Sequence, residues 1–228
     1  MKKLVLIIIT LIAVFNPKSN GQKGPLRGSG IIKTLTYDGA GYDKVNLLDF
    51  EGRIQIEIGK KHSLKIDIDD NIAELVQFDL NKIENELTVS VAGNKNGRLY
   101  LEDINSQIII TMPESSVIKH RGNSNVYISG LSGRYFRLEQ QGNGDAFLTG
   151  TIDDLDISKT GNGTVFAERL LSKTANVTSL GNGNVKINAM ETFTAKGAGN
   201  GDVIQTGKGP ASFFSNIVGN GKIVKTKL

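Results

Sequence analysis

The chain has 228 residues, with 27 basic and 23 acidic side chains, a formal net charge of +4 and no cysteine. The missing cysteines exclude a disulfide framework, a thiolate metal site, a cysteine nucleophile and the lipidated cysteine of a bacterial lipoprotein. Because the chain has no basic block outside its first residues, and no interleaved cluster of arginines and aromatics, it lacks the electrostatic pattern of nucleic-acid binding.

The first element is a short basic start followed by an apolar run at residues 4–15. These twelve residues are too few to span a bilayer, which needs ~20. Ser19 and Gly21 are small residues at the positions that a signal peptidase reads. We therefore predict a signal peptide at 1–21, with a retained membrane anchor as the alternative. Its removal lowers the net charge to +1 and predicts a mature protein in the periplasm or outside the cell, without a membrane span or a lipid anchor.

The next region, residues 22–120, alternates apolar and polar residues with a period of two, which predicts strands. The clearest segments are RIQIEIG (53–59), SLKIDID (63–69), ELTVSV (86–91) and SQIIITMP (106–113). The sequence GKKH between the first two predicts a hairpin loop. The sequence DNIAELV (70–76) is either one helical turn or a loop. We expect this region to lead into the repeats that follow and to cap them.

Residues 121–228 contain six copies of a Gly-Asn-Gly-like tetrapeptide, which begin 20, 19, 20, 18 and 20 residues apart. The fourth residue after the first glycine is apolar in all six copies. A unit of about 20 residues cannot bury its own apolar face, so successive units must stack. We predict an all-β fold, a right-handed parallel β-helix (β-solenoid) with ~20-residue coils, its handedness taken from the usual chirality of parallel connections.

The Gly-Asn-Gly segment predicts a tight turn, because glycine and asparagine tolerate positive φ. The asparagines of neighbouring coils can also stack as an amide ladder. The turn residues are Gly122, Asn123, Gly142, Asn143, Gly144, Gly161, Asn162, Gly163, Gly181, Asn182, Gly183, Gly199, Asn200, Gly201, Gly219, Asn220 and Gly221. The alternative is ligand binding at this ridge, since GNGD resembles part of a calcium-binding repeat. Only Asp145 and Asp202 fill the acidic position, so we predict neither a metal nor a cofactor.

Three aromatic residues, Tyr127, Phe147 and Phe166, occupy the same position in successive repeats. Each follows an apolar inward residue by one, so its side chain should point outward. An exposed aromatic strip suits sugar rings or a protein partner. The alternative is that the N-terminal half or a loop covers the strip, which would make it ordinary core.

Two segments, VNLLDFEGRIQIEIGKKHSLKIDIDDN (45–71) and IIITMPESSVIKHRGNSNVYISG (108–130), together with the repeats, carry a family resemblance. Over roughly residues 40–228 the chain resembles the putative auto-transporter adhesin family with a head GIN domain. The resemblance implies a secreted or envelope-associated β-helix with an adhesive role and no assigned catalytic residues. The chain departs from the family's common pattern because no lipidated cysteine follows the signal peptide.

The sequence thus predicts a non-catalytic exported protein, adhesin-like, that recognises a glycan or a cell-envelope partner. A structural or regulatory envelope scaffold is the alternative. A polysaccharide-acting enzyme would need paired carboxylates, and the only dense acidic group in the repeats is Asp145, Asp153, Asp154 and Asp156. The two histidines, His62 and His120, are too few for a zinc site, and we expect His62 to be exposed in its loop. The sequence does not indicate the oligomeric state.

Overall fold

A computed structural model describes residues 25–92, 101–209 and 212–226. The predicted signal peptide lies outside these ranges. Within them no helix is long and apolar enough to cross a membrane. The fold is all-β, with one helix, α1 (Asp70–Ala73), among the described residues.

The strands of the N-terminal half are short. They are β1 (Leu26–Arg27), β2 (Ile32–Tyr37), β3 (Lys44–Leu48), β4 (Arg53–Ile58), β5 (Ser63–Asp69), β6 (Val76–Asn81), β7 (Glu86–Val91), β8 (Leu101–Glu102), β9 (Ser106–Met112) and β10 (Val117–Arg121). Several strands of the repeat region are much longer. They are β11 (Asn125–Leu131), β12 (Tyr135–Gly142), β13 (Ala146–Gly161), β14 (Val165–Gly181), β15 (Val185–Gly199), β16 (Val203–Gln205), β17 (Ser212–Gly219) and β18 (Ile223–Lys225).

The repeats pair with one another in parallel. Val126 pairs with Ala146, Ala146 with Val165, and Val165 with Val185. All four side chains are fully buried, so the apolar column seen in the sequence becomes a continuous line through the core. The long strands bend, since the start of β13 pairs with β11 and its end with β12.

The predicted fold class, a right-handed parallel β-helix, is wrong. Sixteen of the described strands form one sheet with mixed pairing, which is nearly closed and barrel-like. The pairs β2–β5, β5–β9 and β6–β7 are antiparallel. Eight of the ten N-terminal strands therefore belong to the sheet itself, whereas β1 and β8 pair with each other in a separate small sheet. The β-helix that the family resemblance implied is wrong for the same reason.

The predicted hairpin at 59–62 is also wrong, and it shows why the topology differs. Strand β9 lies between β4 and β5, parallel to the first and antiparallel to the second. Two alternating strands joined by a short polar loop match a hairpin, yet both here prefer the long-range partner. Short-range patterning specified which side chains face inward but not which strands are neighbours.

The helix α1 follows β5 and buries Ile72 and Ala73. Asp69, at its N-cap, makes no side-chain cap bond. Its buried carboxylate instead accepts hydrogen bonds from the backbone N–H groups of Gly30 at 2.7 Å and Asn105 at 2.8 Å. Asp69 therefore ties the start of β2 and the start of β9 to the same corner of the sheet.

Candidate functional site

The Gly-Asn-Gly turns form one ridge along the paired repeats. The first glycine of every turn has a positive φ, from 114° at Gly181 to 156° at Gly122. The third glycine has another reason to be glycine. A Cβ on Gly163 would lie 2.0 Å from the carbonyl oxygen of Gly144 in the preceding repeat, where no side chain fits.

The middle asparagines form a ladder of amide hydrogen bonds. Each Nδ2 donates to the Oδ1 of the asparagine in the preceding repeat. The five distances are 2.9 Å for Asn143 to Asn123, 2.8 Å for Asn162 to Asn143, 2.8 Å for Asn182 to Asn162, 2.8 Å for Asn200 to Asn182 and 2.9 Å for Asn220 to Asn200. Each of the six asparagine side chains is hydrogen-bonded to at least one neighbouring asparagine, so the ladder links successive repeats along the ridge.

The acidic fourth residue of the turn also bonds to the neighbouring repeat. The Asp145 carboxylate accepts the backbone N–H of Thr164 at 2.7 Å, and Asp202 accepts that of Lys222 at 2.8 Å. Asn125 and Asn184 make the equivalent bonds with their amide oxygens. Asparagine can replace aspartate because the position needs an acceptor and not a charge. In the parts of the chain that the structure describes, no group of three or more His, Asp or Glu side chains is placed to hold a metal.

The other predicted acids are engaged in local pairs. Asp153 contacts Lys173 at 2.8 Å and Asp156 contacts Arg137 at 2.7 Å. Asp154 accepts a hydrogen bond from Thr174 Oγ1 at 2.6 Å. Each of these three carboxylates therefore has a side-chain partner in a neighbouring strand.

A polar column lies inside the sheet beneath the turns. It consists of His120, Gln140, Lys159 and Ser179, which pair in successive strands and are all buried. His120 Nδ1 lies 3.1 Å from Gln140 Oε1, and Lys159 Nζ donates to the Gly161 carbonyl at 3.0 Å. Burial lowers the pKa of both His120 and Lys159. Nothing in the sequence pattern predicts a buried lysine here, because its neighbours in the column, Gln140 and Ser179, are uncharged.

The three predicted aromatic residues stack face to face on the outer surface. The ring centroids of Tyr127 and Phe147 are 4.8 Å apart with planes 6° from parallel, and those of Phe147 and Phe166 are 4.7 Å apart at 2°. The Arg53 guanidinium covers the Tyr127 end of the stack at 4.5 Å, and the Lys186 ammonium covers the Phe166 end at 4.9 Å. The ring faces are therefore occupied, and only ring edges remain for a ligand.

These edges form one wall of a groove of about 410 Å³, which we call the aromatic groove. Leu148, Thr149, Glu168 and Arg169 complete its lining. Glu168 is half-buried, and its Oε2 is shielded from water without a hydrogen-bond partner among the described residues. The groove thus combines an apolar wall with a neighbouring carboxylate oxygen that lacks a donor.

A second groove of about 400 Å³, the polar groove, lies on another face and is lined mainly by polar side chains, among them Asn46, Lys119, Arg121 and Glu139. Its charges are already paired. Lys119 contacts Glu86 at 2.6 Å, and Arg121 contacts Asp49 at 3.2 Å. This groove therefore offers a ligand less uncompensated charge than the aromatic groove does.

Sequence reasoning named the three rings but missed the residues around them. Lys186 occupies the same column and pairs with Phe166. In the sequence, however, a lysine at this position indicates only where the aromatic strip ends. Glu168 follows Phe166 by two residues and so shares its face of the strand. Arg53 could not be found in this way, because it arrives through the pairing of β4 with β11. His62 is not the freely exposed loop residue that the sequence predicts, since it lies partly buried with Nε2 2.8 Å from the Tyr42 carbonyl.

The family model described as "Putative auto-transporter adhesin, head GIN domain" matches residues 41–209, which confirms the resemblance seen in the sequence. Comparison with curated proteins gives no match. A crystal structure of a putative adhesin from Bacteroides fragilis is similar at a TM-score of 0.67 and 23% identity, covering 88% of this chain and 100% of that one. At this identity the likeness shows the fold alone.

Two structures from Parabacteroides distasonis are more distant. One, described as a putative lipid binding protein, has a TM-score of 0.49 and 17% identity and covers 89% of this chain and 100% of its own. The other, described as a putative adhesin, has a TM-score of 0.48 and 13% identity and covers 88% of this chain and 99% of its own.

Proposed function

The chain belongs to the family of the putative auto-transporter adhesin, head GIN domain, and on that premise we propose that it is an exported, non-catalytic protein that binds a glycan of the cell envelope. The binding site is the aromatic groove. Residues 1–21 are the proposed signal peptide, 22–120 the leading region and 121–228 the repeat region. The N-terminal segment supports export through its basic start and apolar run.

The observation that carries the proposal is the unpartnered Oε2 of Glu168 beside the aromatic wall. A buried acceptor without a donor costs about 1–3 kcal/mol, which a ligand hydroxyl recovers when the Glu168 carboxylate rotates to present this oxygen to the groove. Sugars combine such hydroxyls with apolar C–H surfaces. A glycan can therefore place C–H groups against the edges of Tyr127, Phe147 and Phe166 while a hydroxyl meets Glu168.

The geometry also favours one orientation of the proposed sugar. Carbohydrates often lie flat on an aromatic face, but here the faces contact each other and the two cations. The proposed sugar therefore stands in the groove against the ring edges, with Thr149 and Glu168 beside it. This arrangement favours an extended chain that runs across the strands, along the line of the stack.

The test is a glycan array probed with residues 22–228 and with the variant Phe147→Ile. Isoleucine keeps the side chain apolar and, being β-branched, suits a strand, and Ile204 already occupies the same column in a later repeat. Removing the central ring opens one wall of the groove, so we expect retention of the bound glycan to fall by tenfold or more, while circular dichroism stays β-rich. Tyr135→Thr, which alters an exposed ring outside the groove, is the matched control and should bind as the parent does.

Three results would oppose the proposal. Equal glycan binding by Phe147→Ile and the parent would place the site elsewhere. An array without hits, combined with a pull-down that recovers one protein partner, would favour the envelope-scaffold function instead. Release of a cleavage product from a bound glycan would favour a polysaccharide-acting enzyme instead.

A further inference from the structure

We propose that the glycan recognised by the aromatic groove is acidic and that its sugars carry carboxylates. This inference rests on the proposed function and specifies the ligand of the same site. It follows from the charges around the stack, from the electrostatics of the ring edges and from the contrast with the paired cations of the polar groove.

Three cations border the aromatic groove. Arg53 and Lys186 close the two ends of the ring stack, and Arg169 belongs to the groove lining. Within residues 25–92, 101–209 and 212–226, none of the three has a carboxylate within salt-bridge distance. Within the groove lining Arg169 and Glu168 balance each other, and Arg53 and Lys186 at the ends of the stack add two positive charges.

Several cations elsewhere on the protein contact carboxylates. In the polar groove, Lys119 and Arg121 each contact a carboxylate. Arg137 contacts both Glu139 and Asp156 at 2.8 and 2.7 Å. The aromatic groove therefore differs from the polar groove, because its three cations are gathered around one site without a carboxylate of the described residues in salt-bridge distance.

The cation–π contacts hold these charges without consuming their hydrogen bonds. A guanidinium that lies over the Tyr127 face keeps its N–H donors in its own plane, where they can point to a ligand. The Lys186 ammonium likewise keeps donors that the ring does not engage. Both side chains are oriented before a ligand arrives, which lowers the entropy that is lost on binding.

The ring edges add to the same preference. The quadrupole of an aromatic ring is negative on its faces and positive at its edge. The stack buries the negative faces of its three rings against one another and against cations, so the groove wall consists of positive edges. A carboxylate complements such a wall better than a neutral group does, while Glu168 remains available to a sugar hydroxyl.

The experiment compares acidic polysaccharides with their neutral methyl esters. Polygalacturonate, alginate and hyaluronan are the probes, and esterification removes the charge while it leaves the sugar stereochemistry unchanged. Binding to residues 22–228 is measured at low and high NaCl. We expect an acidic probe to bind, its ester to bind at least tenfold more weakly, and high salt to weaken the acidic probe but not the ester.

Variants assign the charge effect to the groove. Arg53→Gln and Lys186→Gln should each weaken acidic binding by about fivefold, the upper range for a partly exposed ion pair. Lys196→Gln is the matched control, because this exposed lysine lies outside the groove lining. Circular dichroism and thermal unfolding of each variant verify the fold.

The outcomes separate the two proposals. Equal binding of acid and ester, lost in Phe147→Ile, would overturn the acidic ligand and leave glycan binding in place. Absence of binding by all three acidic probes, when neutral glycans on the array do bind, would overturn the acidic ligand as well. Absence of any glycan binding, or binding that Phe147→Ile does not change, would overturn both.

Discussion

Three glycine-to-alanine substitutions can separate the two constraints that the turns impose. Gly59 has a φ of 90° and no atom within 4 Å of the position that a Cβ would occupy, so Gly59→Ala introduces backbone strain alone. Gly163 has no positive φ, but its Cβ would meet the Gly144 oxygen at 2.0 Å, so Gly163→Ala introduces a clash alone. Gly161 combines a φ of 122° with a Cβ contact of 2.2 Å to the Gly142 oxygen.

The expected losses follow from these geometries. A positive φ on a non-glycine residue costs about 1–2 kcal/mol. Overpacking typically costs about 1–3 kcal/mol, and the upper end applies to Gly163 because a carbonyl oxygen of the paired backbone cannot rotate away as a side chain would. We therefore expect free energies of unfolding to fall by about 1.5 kcal/mol for Gly59→Ala, about 3 for Gly163→Ala and about 4–5 for Gly161→Ala.

Urea unfolding followed by circular dichroism measures these losses. With an m value of about 2–3 kcal/mol/M, a loss of 3 kcal/mol moves the midpoint by roughly 1–1.5 M. A Gly163→Ala variant that loses no more stability than Gly59→Ala would refute the argument that the close approach of the repeats requires glycine. In the first repeat Ser124 stands where the later turns have their third glycine. The turn beneath it, at Asp49–Gly52, is not a Gly-Asn-Gly turn.

Two further predictions concern the polar groups along and beneath the ridge. Asn162→Ala removes two ladder hydrogen bonds and should lower the free energy of unfolding by about 1–2 kcal/mol. Asn220→Ala, at the end of the ladder, removes one hydrogen bond and should lower it by about half as much. Equal losses of the two variants in urea unfolding would contradict a continuous ladder. Burial lowers the pKa of His120 from 6.5, and its bond to Gln140 and the charge of Asp49 oppose this shift. Below about pH 6.5 the unfolded chain therefore binds a proton that the folded chain does not, so the stability of the protein falls as the pH falls. The variant His120→Gln should lose less stability than the parent between pH 7.5 and 5.5, and parallel pH profiles of the two proteins would argue against this role.

The sequence predicted the register of the repeats because identical turns recur at nearly constant spacing. Aligning them placed Val126, Ala146 and Val165 in one buried column and Tyr127, Phe147 and Phe166 in one outer column, as the pairing shows. Sheet topology could not be predicted in the same way. Alternation identifies which face of a strand is buried, but β4, β5 and β9 alternate alike, and nothing in their sequences specifies that β9 pairs with both.

The same limit applies to the candidate site. Its repeat-borne residues could be found by counting, since Lys186 occupies the column of the three rings. Arg53 lies in a region without repeats, and its place over Tyr127 depends on a long-range strand pairing. The buried Lys159 was equally unpredictable, because its neighbours in the column, Gln140 and Ser179, share only polarity with it.

The ridge and the groove depend on each other through register. Residues that alternate across a strand exchange faces when the pairing slips by one position. A slip of β13 against β11 would replace the contact of Tyr127 with Phe147 by one with a neighbour that faces the core. The asparagine ladder and the close-packed glycines oppose such a slip, since each bond requires its own counterpart in the next repeat. The turns therefore stabilise the proposed binding groove without lining it, because they keep three rings from three repeats in one stack.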